Sequence, residues 1–552
     1  MAIMLRRTLS GFSRALALLA LVAVPAAAPL GAQELPQTWQ EEQNFRSGPT
    51  PFEPLMAFWY ELDAISHIVN MRPLTHTLLD REMYTVTIAD PPITNPEDAV
   101  RSGKTIVLLA PSVHGGEVSP KESVQLVAKE LVAGDLRSVL DDVIVVVVPI
   151  INPDGGEVRR RTNEAGYDMN RDYVKLESQE IHALVTQVMN EWTPDIHVDG
   201  HHGGSPPYVI TYQGTLNPAA DEELRRYPYQ NIFPRLREAV AAEGYRAFDY
   251  SGVRTQDGER GWGSTSVEPR KHHVYTGLTN SIGILLETPN ARTLFRNGSL
   301  EAIAEEERYY HQVRGGFLAT SEILRVAADN RDEIRALTTG SRMRAVEAGA
   351  QGGDPIVLEY ELTNRGDESV WMPDEDATGG YSLQTVPVFL EWVPTRTTTR
   401  PVGYLLPPAM ASIVPLLQDH DISVYRFREP ATLDAEVYYA TDVNRDSYFQ
   451  GHYLKSVEVE KATEAVDVAP GWFWIPSAQS RANLINYILE PETDDNLITW
   501  GWTDHILEVT DEGDDERQRV PMMRVMSHQY LPVVEVQPFN LYQRNRYFRP
   551  GY

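Results

Sequence analysis

A chain of 552 residues is too long for one compact core, so two folded domains are the expectation. Hydrophobic residues at 42% and charged residues at 23% exclude a disordered or fibrous protein, and a formal charge of −29 sets nucleic acid outside the expected partners because the surface repels phosphate backbones. With no cysteine, disulfides, thiolate ligands and a cysteine nucleophile are excluded, so any metal must be held by His, Asp and Glu.

Residues 1–32 have the layout of a signal peptide. Arg6, Arg7 and Arg14 supply positive charge, an apolar stretch runs from Ala15 to Val24, and small residues follow from Ala26 to Ala32. The apolar stretch is short of the ~20 residues that span a bilayer. Cleavage after Ala32, or alternatively after Ala28, is expected to release an exported protein, periplasmic or extracellular, with no stable membrane span. Without a cysteine beyond the signal, a lipoprotein is not expected. Residues 33–54 are polar and proline-bearing and read as an extended lead-in.

From residue 55 to 330, helical and strand-like segments alternate. Thr105–Ala110, Val143–Ile151, Ile196–Asp199 and Gly283–Glu287 read as buried strands, the second an almost unbroken run of Val and Ile. Between the first two, Ser119-Pro120-Lys121-Glu122 has the form of a capping-box helix start. Strand, helix and strand in that order imply an α/β fold with a mixed, mostly parallel sheet and flanking helices. The helical pattern fades after Leu337, and Gly349–Asp354 reads as a loose link. Residues 345–552 then read as a β-rich accessory domain, with strands at Ile356–Leu362, Val388–Trp392 and Leu433–Tyr439 and a helix at Pro408–Gln418. The acidic stretch Asp511–Glu516 reads as a solvated loop.

The reactive residues fall at the strand ends. His114-Gly115-Gly116-Glu117 follows the first strand, Asn152-Pro153-Asp154-Gly155 the second and His201-His202-Gly203 the third, while Glu287 ends the fourth. Ligands of α/β sheets bind beyond the carboxyl ends of the strands. His114 and Glu117, separated by two glycines, can face one point, and imidazole nitrogen and carboxylate oxygen both suit zinc. A third ligand comes from His197, His201 or His202. Alternation along an extended segment puts His197, Asp199 and His201 on one side, and His201 lies where the other groups converge. Between these segments, Arg159, Arg160, Arg161, Asn170 and Arg171 form a donor-rich stretch suited to a carboxylate.

Taken together, these segments resemble the zinc carboxypeptidase family over roughly residues 55–330. His114-x-x-Glu117 is similar to its first two metal ligands, Asp199-Gly200-His201 to the strand ending in the third, Gly166-Tyr167-Asp168-Met169-Asn170-Arg171 to the segment gripping the substrate carboxylate, and Leu285-Leu286-Glu287-Thr288 to the strand carrying the base. The resemblance implies one Zn2+ per chain on His114, Glu117 and His201, Glu287 as general base, and Asp168 orienting His114. It further implies that Asn170 and Arg171 bind the free C-terminal carboxylate of a peptide substrate, and that one of Arg159–Arg161, here Arg161, polarises the scissile carbonyl. Tyr275 is the nearest candidate for the family's substrate-binding tyrosine, while His202, His272 and His273 lie outside its pattern. The implied reaction is zinc-dependent release of C-terminal residues. A zinc amidohydrolase acting on acyl-amino acids or cell-wall peptides is the alternative, and a binding protein on a decayed scaffold would require the loss of a ligand or base that the sequence retains.

Overall fold

The computed structural model describes residues 35–289, 303–375, 380–510 and 517–538. The signal-peptide reading for residues 1–32 and the loop reading for residues 511–516 fall outside the described residues.

Among the described residues, ten strands precede residue 290: β1 Val69–His76, β2 Glu82–Ile88, β3 Thr105–Pro111, β4 Val143–Val147, β5 Ile196–Gly204, β6 Ile210–Gly214, β7 Ala247–Asp249, β8 Gly252–Gln256, β9 Glu259–Gly263 and β10 Ile282–Pro289. Eight of them form one sheet in the order β1-β2-β4-β3-β5-β10-β6-β7. Its middle is parallel from β4 through β3 and β5 to β10, with antiparallel pairs at β1–β2, β2–β4 and β10–β6. This is the mixed, mostly parallel sheet expected. Every residue of β3 and β4 is buried, because helices or core side chains cover both faces. Helices Ser119–Ala133 and Arg308–Asp329 pack against each other and against the sheet on one face. On the other, Ile106, Leu108, Ile144 and Val146 enter a core that also holds Val185, Val188 and Leu278.

Three local readings are corrected. The helix at Ser119 has no side-chain cap; Val118 is its flanking residue. Ser119 Oγ instead lies 2.7 Å from Thr288 Oγ1, and Glu122 accepts from the Thr50 amide at 2.9 Å and from Lys121 Nζ at 2.7 Å. The helix start is buried, so its polar groups find partners distant in sequence. The lead-in is not wholly extended, since Trp39–Glu42 makes a helical turn with a capping box at Thr38. Finally, the helix Arg331–Gln351 runs well past Leu337. Past Ile334 its inward face carries small or hydroxyl-bearing residues, Thr338, Ser341, Ala345 and Gly349: Thr338 donates to Asp195 at 2.6 Å and Ser341 to Asn280 at 2.7 Å. That face therefore gives no hydrophobic period.

The C-terminal part is β-rich, as expected, with longer strands than the apolar runs suggested: β11 Pro355–Pro373, β12 Tyr381–Thr399, β13 Gly403–Leu406, β14 Tyr425–Phe427, β15 Ala431–Phe449, β16 His452–Val468, β17 Phe473–Pro476, β18 Gln518–Val525 and β19 Val533–Glu535. A four-stranded sheet, β11-β12-β9-β8, joins the long β11–β12 hairpin to the earlier region, and a seven-stranded sheet runs β16-β15-β18-β13-β17-β14-β19. Tyr404, Leu406, Leu484, Ile488 and Met522 of this part share one core cluster with the inner residues of β3 and β4. Among the described residues, no helix is long and apolar enough to cross a membrane.

Candidate metal centre

The carboxyl ends of β3, β5 and β10 point into one cavity of about 490 Å³. His114, Glu117, Arg161, Asn170, Arg171, His201 and Glu287 all line it. Parallel register places Glu287 of β10 directly opposite His201 of β5, so two neighbouring strands deliver adjacent side chains. The tight path from His114 to Glu117 depends on Gly115: a side chain there would meet the backbone of Gly155 at 2.1 Å.

The side-chain atoms are arranged around a common point. His114 Nδ1 lies 2.7 Å from Glu117 Oε1, His201 Nδ1 lies 2.7 Å from Glu117 Oε2, and the two Nδ1 atoms are 3.1 Å apart. The donor atoms of the three residues all fall within 4.8 Å of one another. On the far side of each ring, Nε2 faces a carboxylate: His114 that of Asp168 at 2.9 Å and His201 that of Asp199 at 2.9 Å, with the Asn170 amide 3.0 Å from the same His201 nitrogen. A carboxylate behind each imidazole holds the proton on Nε2 and turns the Nδ1 lone pair forward. Two lone pairs and a carboxylate facing one another require positive charge between them. Donors around a tetrahedral zinc stand roughly 3.3 Å apart, the same order as the spacings here. The donor set fits the ion.

Burial alone would raise Glu117 and Asp168, but His201 and His114 beside the first, and the hydrogen bond from His114 to the second, hold both well below the usual carboxylate range. Burial would likewise raise Asp199, yet His201 and His272 hold it low. Glu287 behaves oppositely. It is pushed up to about 8, chiefly by burial; the charges of Glu117 and Asp199 add to this while His201 and Arg161 oppose it. Its Oε2 has no hydrogen-bond partner in the protein, so it is a buried carboxyl with an acceptor to spare.

Of the three consecutive arginines, Arg161 is the one lining this cavity. Its Nε donates to Asp168 at 2.9 Å and its Nη1 to Glu117 at 3.2 Å. Arg160 turns to Glu164, and Arg159 borders a neighbouring cavity. Asn152 braces loops by donating to the Val113 and Arg161 carbonyls, and Asp154 pairs with Arg81. His202 reaches the Pro289 carbonyl, and His197 faces His272 deeper in the interior, where burial pushes its pKa well down.

Tyr275 is a correction. It is buried on the helix His272–Leu278, and its hydroxyl is bonded to His420 at 2.8 Å, so it does not border the cavity. The helix places it on the core side, against Tyr173. Tyr250 borders the cavity instead. It follows the short edge strand β7, a position with no local signal beyond the residue type. His273, which the sequence leaves either shaping the pocket or facing water, lines the cavity, and Asp199 stands behind His201. Asp199 could have been found, since it shares a strand face with His201.

The zinc carboxypeptidase family model matches residues 55–208. Carboxypeptidase 2 of Trichophyton rubrum is 22% identical over 425 residues, covering 72% of this chain and 74% of that protein. Cytosolic carboxypeptidase 3 of Mus musculus is 28% identical over 180 residues, covering 31% of this chain and 17% of that protein. A solved metallo-carboxypeptidase from Pseudomonas aeruginosa aligns at a TM-score of 0.40 with 20% identity, over 52% of this chain and 70% of that one. Residues 55–208 thus resemble a zinc carboxypeptidase domain, and the curated relatives support a metallopeptidase of that type. The matched segment contains the three metal-facing residues and the Asn170-Arg171 pair; Tyr250 and Glu287 lie beyond it.

Proposed function

We propose that the protein removes C-terminal residues from peptides, using one zinc ion held by His114, Glu117 and His201 and Glu287 as general base. The observation that carries this reading is the convergence of both Nδ1 atoms on the Glu117 carboxylate, with Glu287 in register beside His201. When bound, zinc supplies a Lewis acid and lowers the pKa of water. Glu287, with its free Oε2, accepts the proton of the attacking water and returns it to the leaving amine. Arg161 stands at the cavity wall to stabilise the negative charge that develops on the carbonyl oxygen. Asn170 and Arg171 bind the terminal carboxylate, and Asp168 and Asp199 hold the two imidazoles. The N-terminal charge and apolar pattern further support export to the periplasm or the medium, which sequencing of the mature N-terminus would test.

A pair of acylated dipeptides, one with a free and one with an amidated C-terminus, tests the reading. Hydrolysis of the free acid alone, abolished by chelator, is expected; equal turnover of the amide contradicts it and favours an amidohydrolase. Glu287→Gln should keep its zinc and lose roughly 10²–10⁴ in turnover, the usual contribution of a general base. Wild-type turnover in a metal-loaded Glu287→Gln protein would remove Glu287 from that role.

A further inference from the structure

The hairpin of β15 and β16 ends beside the segment that carries Asp168, Asn170 and Arg171. Its last strand pair is Phe449 with His452, leaving Gln450 and Gly451 as a two-residue turn. Both have positive φ, 50° and 86°. Such a turn favours Asn-Gly, Asp-Gly or Gly-Gly; a glutamine there is held in a conformation that costs it stability. The side chain has a use that offsets this. Gln450 Oε1 accepts the backbone N–H of Asp168 at 2.9 Å. The neighbouring residues touch the same region. A side chain at Gly451 would come within 3.3 Å of the Tyr167 ring, and His452 Nε2 lies 2.7 Å from Glu177. Three successive residues at the tip thus meet residues 167, 168 and 177, around the short turn Met169–Arg171.

We propose that Gln450 is a positioning residue for the substrate-carboxylate site: the C-terminal sheet reaches across to fix the Asp168 amide, and with it the turn that presents Asn170 and Arg171. The proposal rests on the peptidase reading for its effect on substrate, but not for its effect on the turn. The carboxylate of Asp168 keeps its own bonds to His114, Arg161 and the Asn170 amide, so the loss of the Asp168 amide bond loosens the turn without removing the contact that orients His114.

The test uses the full chain, zinc-loaded, as Gln450→Ala, Gln450→Asn and Gln450→Glu. Asparagine suits the turn better than glutamine but is one methylene too short to reach, while glutamate keeps both reach and acceptor. Gln450→Ala and Gln450→Asn should raise KM for a peptide with a free C-terminus about tenfold, the effect of one net hydrogen bond, with kcat changed by less than about twofold. Gln450→Glu should stay near wild type, and Gln450→Asn should melt no lower than wild type. In the same proteins without substrate, amide exchange across residues 163–172 should be faster in the Ala and Asn variants and unchanged in Glu. A Gln450→Asn protein with wild-type KM, or a Gln450→Glu protein as impaired as Ala, overturns the proposal. Wild-type exchange in Gln450→Ala overturns it too, and that readout decides even if the enzyme hydrolyses no peptide, an outcome that would refute the peptidase reading separately.

Discussion

The two imidazoles of the centre are prepared in the same way, each with a carboxylate behind it, and Asp199 contributes the less obvious half. It is fully buried, 2.9 Å from His201 and 3.5 Å from His272, and its charge is retained only because those rings surround it. Outer partners of this kind change metal affinity by roughly 10- to 100-fold. Asp199→Asn should therefore weaken zinc binding by about that factor, measured by competition with a chelator of known affinity. Unaltered affinity would mean that Asp199 does not orient His201 for the ion. The sequence makes His114, Glu117 and His201 legible because they fall toward or just past the carboxyl ends of strands and only a few residue types can hold an ion in a chain without cysteine. It does not separate Tyr275 from Tyr250, because which tyrosine reaches the cavity is decided by the packing of a helix and of a short edge strand.

The helix His272–Leu278 shows how an element near the centre is fixed from outside it. Tyr275 on this helix donates its hydroxyl proton to His420 Nδ1, while His420 Nε2 donates to the Val174 carbonyl at 3.0 Å, which uses both nitrogens of a neutral ring. Burial pushes His420 down to about 4, against about 6.5 for an exposed histidine. The folded state thus requires the neutral form. As pH falls from about 6.5 toward 4, the unfolded chain takes up the proton first and stability drops by about 3 kcal/mol from this group, then levels off. Urea unfolding across that interval should show a steeper loss in wild type than in His420→Gln. Equal slopes would show that His420 is not the group responsible. The parallel strands are legible from their unbroken Val and Ile, whereas the full length of the helix Arg331–Gln351 is not, because past Ile334 its buried face is made of small or hydroxyl-bearing residues, with Thr338 and Ser341 bonded to Asp195 and Asn280.

The described residues from Pro36 onward form one compact unit, and its interior runs from the central sheet into the C-terminal part. Ile488 is fully buried in that interior with Ile106, Leu108 and Val146 of the catalytic sheet. Ile488→Ala should cost about 2–5 kcal/mol and shift loss of activity and loss of helical signal together in denaturant. Early melting of the C-terminal part with activity intact would contradict a shared interior. This sharing was not visible in the sequence, since each run of apolar residues announces that it is buried but not against what. The account as a whole turns on whether residues from two distant segments of the chain hold one ion. Elemental analysis of the purified protein beside His114→Ala decides it: one zinc per chain in the first and none in the second is the result predicted, and a wild type free of zinc, or a variant that retains it in full, would contradict the centre described.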